Sequence, residues 1–507
     1  MSKPKKSMAS SIVEKLSGKD KNKIVKNRVV IVGAGQVGLH IMERLSQENY
    51  NVILIDESEE ILAKSRALGD VATILGNGCN PDIYAEIALN KKDVFLAVTN
   101  SDETNLVACN IAQTYGCTTK IARVRQSFYR SEEKSHLNPE FWKKMGVEVL
   151  FNQDLLTINE IQHLIDNPGT IDTVFLNKDK VQIAAYKVKP NSLLIGRRLI
   201  GLRDVPLFEN LLVVAVNTFL SSNEKPDFLG TIKNKLNITR ESVKTNTIIP
   251  RGDYKITEGD LLYVAGARND FSGISHLFGP KLIKDFSKVF ILGGSILSRQ
   301  LATHLTKAYP KKKIFLLELS KKDAFYLAES LDPRINVLLT GPHDMNSLIN
   351  EGLDKYSIFI GASKDEDDNV LSCLLAKEKS NARTIAVVQS NTYGQLVKYL
   401  DIDATVSPKS LIVEDVLRAL RHNVYDVLSA KEHDAEILEF EVSSKCVLVN
   451  QRLREFKFPE NAIIAFIFRG DEIIIPRGEV TVNVGDHLVI FSLKSSLEEV
   501  LSIFQSK

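Results

Sequence analysis

Three closely spaced glycines are the residues with the clearest chemical implication. Gly33, Gly35 and Gly38 follow the short apolar run RVVIV and precede a stretch with helical spacing of apolar residues. In such a strand–turn–helix context, the first glycine permits a tight turn, the second lets the backbone approach a pyrophosphate, and the third lets helix and strand pack closely. About twenty residues later a strand ends in Asp56, whose carboxylate is placed to accept hydrogen bonds from ribose hydroxyls. The pattern predicts a site for NAD(H) or an adenine nucleotide.

Other polar residues follow the later strands of the same segment. Parallel strands present their carboxyl ends at one edge, so these residues are expected to border the same site. For Asn77 two interpretations stay open, a turn residue and a ligand contact; for Arg125 they are a phosphate contact and a solvated surface charge. The predicted nucleotide-binding residues are Gly33, Gly35, Gln36, Val37, Gly38, Asp56, Asn77, Gly78, Thr99, Asn100, Arg123 and Arg125. No catalytic or metal-binding residue is predicted.

The chain is an internal repeat. The sequence pattern of residues 28–45 recurs in residues 288–305, and that of residues 97–109 recurs in residues 361–373. Each copy alternates short buried strands with helical stretches, which predicts a parallel sheet with right-handed crossovers. A shorter β-rich segment follows each copy, and the first of these is longer by about 28 residues.

The predicted fold class is therefore α/β, with two tandem Rossmann-like parallel-sheet domains, each followed by a small α+β domain. The predicted segments are a basic tail (1–27), a Rossmann-like nucleotide-binding domain (28–170), a small β-rich domain (171–272) with an insertion near 221–246, a second Rossmann-like domain (286–430) and a second small β-rich domain (434–507).

The second copy departs from the glycine pattern. Gly293 is kept, but Ser295 and Ser298 stand where the second and third glycines are expected, while Glu318 occupies the ribose position. A Cβ at the second position obstructs the close approach of a pyrophosphate. A weakened or absent second nucleotide site is therefore expected. The alternative is that the serine hydroxyls bind a differently placed phosphate.

Composition and charge exclude several protein classes. The 507 residues are 44% hydrophobic and 25% charged, and the five cysteines form no C-x-x-C pair, so a disulfide scaffold or zinc site is not indicated. No apolar run is long enough to span a bilayer or to form a secretory signal, which favours a cytoplasmic protein. Residues 1–27 carry eight lysines against two acidic residues. This tail is either a solvated extension or a segment attracted to anionic lipid or nucleic acid.

The sequence lacks a persuasive acid/base set beside the predicted cleft, so we expect a ligand-controlled switch and not an enzyme. The alternatives are an NAD-dependent oxidoreductase with a duplicated fold, and a nucleotide sensor of another channel or antiporter.

Three motifs resemble those of one family. GAGQVG (33–38), TNSDETNLVA (99–108) and KIARVR (120–125), together with the duplicated plan, are similar to the TrkA family, the peripheral subunits of bacterial Trk potassium uptake, built from tandem RCK domains. The resemblance covers about residues 28–507. Departures from the family pattern are Ser295, Ser298, the insertion and the basic tail.

The resemblance implies a homotetrameric ring at the inner face of the cell membrane. Its expected partner is a TrkH- or TrkG-type potassium-translocating membrane subunit, with no role for nucleic acid. NAD(H), ATP or ADP are the implied ligands, bound for regulation and not as redox cofactors. The three glycines would hold the phosphates, Asp56 the ribose, and Arg123 and Arg125 would lie near the phosphates.

Overall fold

The computed structural model describes residues 28–47, 50–126, 129, 139–176, 180–219, 245–271, 273–279, 286–389, 400–420, 424–425, 435–444, 446–470 and 472–504. The chain divides into two compact units. The first comprises Met1–Glu160, Val388–Gly394 and Val406–Leu420; the second comprises Ile161–Val387, Gln395–Thr405 and Arg421–Lys507.

The first unit contains a six-stranded sheet in the order β3-β2-β1-β4-β5-β6. All of its paired strands are parallel. The strands are β1 (Arg28–Val32), β2 (Asn51–Asp56), β3 (Ala72–Leu75), β4 (Val94–Ala97), β5 (Thr119–Arg123) and β6 (Val149–Phe151). The helices between and after them are α1 (Gln36–Gln47), α2 (Glu59–Leu68), α3 (Pro81–Glu86), α4 (Asp102–Thr114), α5 (Pro139–Lys144) and α6 (Gln153–Asp166).

The central strands form because they are runs of β-branched and other apolar residues that a parallel sheet buries on both faces. Val29–Val32 of β1 are all at most 2% exposed. The helices begin at side-chain caps: Ser58, Asn80 and Ser101 each accept a hydrogen bond from a backbone N–H in the first turn of α2, α3 and α4. These caps fix the points at which the chain leaves the carboxyl edge of the sheet.

The second unit contains three sheets. One is six-stranded, in the order β14-β13-β12-β15-β16-β17, and repeats the topology of the first unit's sheet. Its strands are β12 (Lys288–Leu292), β13 (Lys313–Glu318), β14 (Ile335–Leu339), β15 (Ser357–Gly361), β16 (Arg383–Val387) and β17 (Ala404–Val406). Its helices are α8 (Ile296–Ala308), α9 (Lys321–Ser330), α10 (Met345–Asn350) and α11 (Glu366–Ser380).

The other two sheets are five-stranded and antiparallel. Residues from both sheets, among them Tyr263, Phe466 and Phe491, form one shared hydrophobic core. The two small β-rich domains therefore pack on each other through their sheets. Their strands are β7 (Thr170–Leu176), β8 (Val181–Lys187), β9 (Leu211–Phe219), β10 (Thr245–Ile248), β11 (Leu261–Ala267), β18 (Val424–Tyr425), β19 (Ala435–Glu441), β20 (Ala462–Arg469), β21 (Glu472–Ile474) and β22 (His487–Leu493), with helices α7 (Ser275–Phe278) and α13 (Leu497–Phe504).

One helix lies away from the domain that the sequence assigned to it. Helix α12 (Pro408–Leu420) falls within the predicted second Rossmann-like domain, 286–430, but it belongs to the first unit. Its buried residues Ile412, Val416 and Leu417 share the hydrophobic core formed by α1 and the first sheet. The predicted domain bounds follow the order of the chain, and apolar spacing alone does not show which of two similar sheets a helix covers.

The end of α6 belongs to the second unit. There the guanidinium of Arg383 donates hydrogen bonds to the carbonyl oxygens of Leu164 and Ile165. Tyr309 donates to Asp166 at 2.7 Å. A cation near the last carbonyls of a helix is electrostatically favourable, so these contacts hold the end of α6 against the second parallel sheet.

The predicted fold class is confirmed: two tandem Rossmann-like sheets, each followed by a small antiparallel domain. The sixth strand of each parallel sheet, β6 and β17, was not anticipated because each has only three residues. The tail 1–27 lies outside the described residues, as does the insertion 221–246 except for Thr245 and Asn246 in β10. No described helix is both long and apolar enough to cross a membrane.

The packing of α12 leads to a stability prediction. Leu417 is 3% exposed, so Leu417→Ala should destabilise the first unit by about 2–5 kcal/mol through lost burial and a cavity. The single tryptophan, Trp142, is buried in that unit and its fluorescence in a urea titration reports its unfolding. The same change at Leu68, which lies in the first unit and is 55% exposed, should cost less than about 0.5 kcal/mol. An unchanged transition in Leu417→Ala would contradict the packing described.

Candidate nucleotide-binding site

The turn between β1 and α1 depends on the first glycine. Gly33 has φ of 101°, a backbone conformation that residues with a side chain rarely adopt. Its N–H donates to the carbonyl oxygen of Ile55 at 2.9 Å, which ties the turn to β2. A Cβ at Gly33 would lie 2.8 Å from the backbone nitrogen of Thr99, so the turn also lies directly against the chain that leaves β4.

The other two glycines have opposite surroundings. A Cβ at Gly38 would lie 1.9 Å from the carbonyl oxygen of Gly33, so its missing side chain allows α1 to pack against the turn. At Gly35, by contrast, a Cβ would meet no atom of the described residues within 4 Å, and the residue is exposed. In the part of the chain that the structure describes, Gly35 therefore has no packing requirement, and the space beside it is open.

Asp56 is held next to this turn. One carboxylate oxygen accepts from the N–H of Ala34 at 2.6 Å, and the other accepts from the N–H of Ser58 at 2.9 Å. These bonds fix the orientation of the carboxylate, and each oxygen retains lone-pair capacity for a further donor. The side chain is half-buried. The geometry suits a carboxylate that accepts hydrogen bonds from vicinal hydroxyls.

The loop after β3 is held by Asn77 and Tyr84. The Asn77 amide oxygen accepts from the N–H of Cys79 at 2.7 Å, and its NH₂ group donates to Glu57 at 2.8 Å. The hydroxyl of the buried Tyr84 donates to the carbonyl oxygen of Gly78. A Cβ at Gly78 would lie 2.1 Å from the Val32 side chain. Asn77 thus has the turn role, which is one of the two interpretations that the sequence left open. Gly78 allows the loop to lie against β1.

Sequence reasoning missed the residue that holds two strand ends together. Asn105, in α4, is fully buried. Its amide oxygen accepts from the Thr99 N–H at 2.8 Å, and its NH₂ group donates to the carbonyl oxygens of Thr99 at 3.1 Å and Arg123 at 2.9 Å. It therefore fixes the residues after β4 relative to β5.

The internal repeat contains a sequence signal that could have identified Asn105. Asn369 occupies the matching place in α11, and it accepts from the Ser363 N–H at 2.8 Å and donates to the carbonyl oxygens of Ser363 and Val387 at 3.2 and 3.0 Å. An asparagine kept in both copies, where neighbouring residues differ, indicates a shared backbone requirement.

The two arginines differ in exposure. Arg123 is 9% exposed and donates to Gln153 at 3.2 Å, whereas Arg125 is exposed. Burial, with the nearby charge of Arg125, lowers the pKa of Arg123. Burial raises the pKa of Asp154, and the two arginines oppose that rise. Within the described residues, the Arg123 Nε has no hydrogen-bond partner. The carboxyl end of β5 thus carries two arginine side chains next to the carboxylates of Asp102 and Asp154.

The predicted residues of the first copy therefore lie along the carboxyl edge of one sheet. Hydrogen bonds join the glycine turn to β2 and Asp56, and Asp56 in turn accepts at its carbonyl oxygen from Gly76 at 2.9 Å. Gln36 and Val37 open α1, and Asn100 is exposed beside Thr99. Their contacts with a nucleotide stay a prediction.

The corresponding edge of the second sheet is arranged differently. Gly293 repeats the φ of 101°, but the Ser298 hydroxyl is buried and donates to the carbonyl oxygen of Ala362 at 2.7 Å. The Ser295 oxygen caps α8 by accepting from the Ser298 N–H at 3.2 Å. A Cβ at Gly294 would lie 2.2 Å from a Glu318 carboxylate oxygen. The serines thus bond within the protein at the positions where a pyrophosphate would approach.

Comparison with known proteins places the chain in a family. The TrkA-N domain family matches residues 29–137 and 289–408, and the TrkA-C domain family matches residues 437–505. The Trk system potassium uptake protein TrkA homolog 1 of Methanosarcina mazei is 30% identical over 486 residues, which cover 94% of this chain and 100% of that protein. The chain belongs to the TrkA family. The resemblance predicted from the motifs is confirmed.

Other TrkA-family proteins align over the same length. The Trk system potassium uptake protein TrkA of Halomonas elongata is 27% identical, with 94% of this chain and 98% of that protein covered. Among solved structures, the GsuK RCK domain has a TM-score of 0.54 at 14% identity, covering 96% of each chain. The GsuK channel bound to NAD has a TM-score of 0.54 at 15% identity, covering 96% of this chain and 80% of that one. These structures share the fold.

The second and third glycines, Gly35 and Gly38, give contrasting stability predictions. Gly38→Ala places a methyl group against the Gly33 carbonyl oxygen and should cost about 3 kcal/mol in the free energy of unfolding. Gly35→Ala meets open space and should change stability by less than about 0.5 kcal/mol. Urea unfolding followed by Trp142 fluorescence measures both. Equal destabilisation by the two changes would contradict the two assigned roles, which are helix packing for Gly38 and an open space for a ligand beside Gly35.

Proposed function

We propose that this TrkA-family protein binds NAD(H) or ATP/ADP at the carboxyl edge of its first parallel sheet, and that binding regulates a potassium-translocating membrane subunit. The observation that carries the proposal is the open space beside Gly35, directly at the amino end of α1. Backbone N–H groups at a helix amino terminus, with no side chain in front of them, favour an anion.

Charge and hydrogen-bonding capacity support an adenine nucleotide. Arg123 and Arg125 supply positive charge at the neighbouring strand end, suited to phosphate. Asp56, oriented by Ala34 and Ser58, suits ribose hydroxyls. A 2′-phosphate there would face a carboxylate, so NADP is disfavoured. The GsuK channel bound to NAD has a related fold, which agrees with this choice of ligand class.

We further propose one nucleotide per chain. In the second sheet, Ser295 and Ser298 satisfy each other and the Ala362 carbonyl oxygen. A phosphate bound there would have to replace these internal bonds, and the buried Ser298 hydroxyl would lose its acceptor. This supports the expectation of a weakened or absent second site over the alternative of a serine-bound phosphate.

Regulation then requires that the assembled protein adopt two shapes and that the nucleotide bind these shapes with different affinities. A hundredfold preference of the nucleotide for one shape is worth about 2.7 kcal/mol per site, and several sites in a ring multiply the effect. We propose a homotetrameric ring on the cytoplasmic face of the membrane, coupled to a TrkH- or TrkG-type subunit. The family relatives carry the name of the Trk potassium uptake system, which supports this class of partner.

Gly35→Asp tests the binding site. The carboxylate would fill the open space and repel phosphate, so nucleotide binding should be lost while the fold is retained. Isothermal titration calorimetry with NADH, NAD, ATP and ADP should give one site per chain in the wild type. Ser295→Asp is the matched control, because aspartate preserves the α8 cap and should leave binding unchanged. Loss of binding in Ser295→Asp alone would move the site to the second sheet.

Potassium uptake tests the regulatory role. In cells that express the membrane subunit, uptake should depend on this protein, and Gly35→Asp should abolish its response to the nucleotide that binds. Ser295→Asp should respond as the wild type does. Normal nucleotide-dependent uptake with Gly35→Asp would reject the proposal, and hydride transfer from NADH to a small carbonyl would favour the oxidoreductase alternative.

A further inference from the structure

Residues 123–126, here called the arginine segment, are held by several backbone hydrogen bonds at the point where the chain leaves β5. The Arg123 carbonyl oxygen accepts from Asn105, and the Val124 N–H donates to Phe151 at 2.9 Å. The Arg125 carbonyl oxygen accepts from the buried Asn152 at 3.1 Å. The segment is thus fixed from several sides while the Arg125 side chain is exposed.

The remaining contacts come from one buried carboxylate. Asp102, in the first turn of α4, is 5% exposed. Both of its oxygens accept from the Arg125 N–H, at 2.9 and 3.0 Å, and one also accepts from the Gln126 N–H at 2.9 Å. Hydrogen bonds to a charged acceptor are stronger than those between neutral groups, so Asp102 is the strongest single restraint on the segment.

The second half of the chain provides an internal comparison. It keeps the asparagine contact, since Asn369 bonds the Val387 carbonyl oxygen as Asn105 bonds that of Arg123. It carries Glu366 at the position of Asp102, and Val387 and Gln389 at the positions of the two arginines. The asparagine at the position of Asn105 is therefore common to both halves of the chain. The aspartate at the position of Asp102 occurs in the half that carries the arginine pair.

We infer that Asp102 is a positioning residue for nucleotide binding, which holds the arginine segment so that the Arg125 guanidinium faces the phosphates. The inference rests on the proposed function. Asp102 does not touch the nucleotide itself, because its oxygens are engaged with backbone amides and its side chain is buried. Its effect on affinity passes through Arg125, since a displaced backbone displaces the guanidinium.

A double-mutant cycle between Asp102→Asn and Arg125→Gln tests this pathway. Asparagine keeps the shape of Asp102, but one oxygen becomes an NH₂ group that cannot accept from a backbone amide. With ADP and NADH as probes in calorimetry, Asp102→Asn should weaken binding about tenfold. In the Arg125→Gln background the same change should weaken it less than about twofold, because the group it positions is gone.

Controls separate positioning from folding. Glu366→Gln, the matched change in the second half, should leave affinity and stability unchanged. Asp102→Glu installs the residue of the second half and replaces Asp102→Asn in the test if the asparagine variant fails to fold. It should likewise weaken nucleotide binding. Trp142 fluorescence during urea unfolding verifies the folded state of each variant.

The outcomes are distinct. Wild-type affinity in Asp102→Asn, additive effects of Asp102→Asn and Arg125→Gln, or unfolding of both Asp102 variants would overturn the positioning role while leaving the proposed function intact. Absence of nucleotide binding by the wild-type protein would overturn the proposed function and this inference with it.

Discussion

The close approach of Gly38 to the Gly33 carbonyl oxygen is the constraint on which the candidate nucleotide site depends. A Cβ at Gly38 would lie 1.9 Å from that oxygen, so the position of α1 behind this turn of the first sheet requires glycine. The amino end of α1 therefore lies beside the space that is open at Gly35. The same turn lies against Thr99 and donates to Ile55, so the ends of three neighbouring strands converge there.

The second sheet keeps the same turn with serines at the places of the second and third glycines. Its turn keeps the positive φ at Gly293 and the N–H contact with the neighbouring strand, here to Leu317 at 2.9 Å. Ser298 stands at the place of Gly38, and its buried hydroxyl donates to the carbonyl oxygen of Ala362. The sheet therefore retains its fold with two serines, while the groups that would meet phosphate bond to the protein. Folding and binding place separable demands on the same turn.

Much of this arrangement could be predicted from sequence because it is local. These local features are the glycine turn, the strand that ends at Asp56 and the alternation of strands and helices, and the structure contains each of them. The nucleotide contacts of these residues stay a prediction. The location of α12 could not be predicted, because two homologous sheets offer similar apolar faces. Asp102 and Asn105 were passed over because a polar residue near a helix start is ordinarily a cap, and only the tertiary structure shows which backbone amides it meets.

The duplication also bears on how binding could be transmitted. Under the proposed function, the nucleotide contacts the first of two similar parallel sheets and leaves the second to contribute packing. The two antiparallel sheets share a hydrophobic core. Packed cores favour discrete arrangements over continuous deformation, because small shifts forfeit many close contacts. Selection between such packings requires only that the nucleotide bind one of them more tightly than the other.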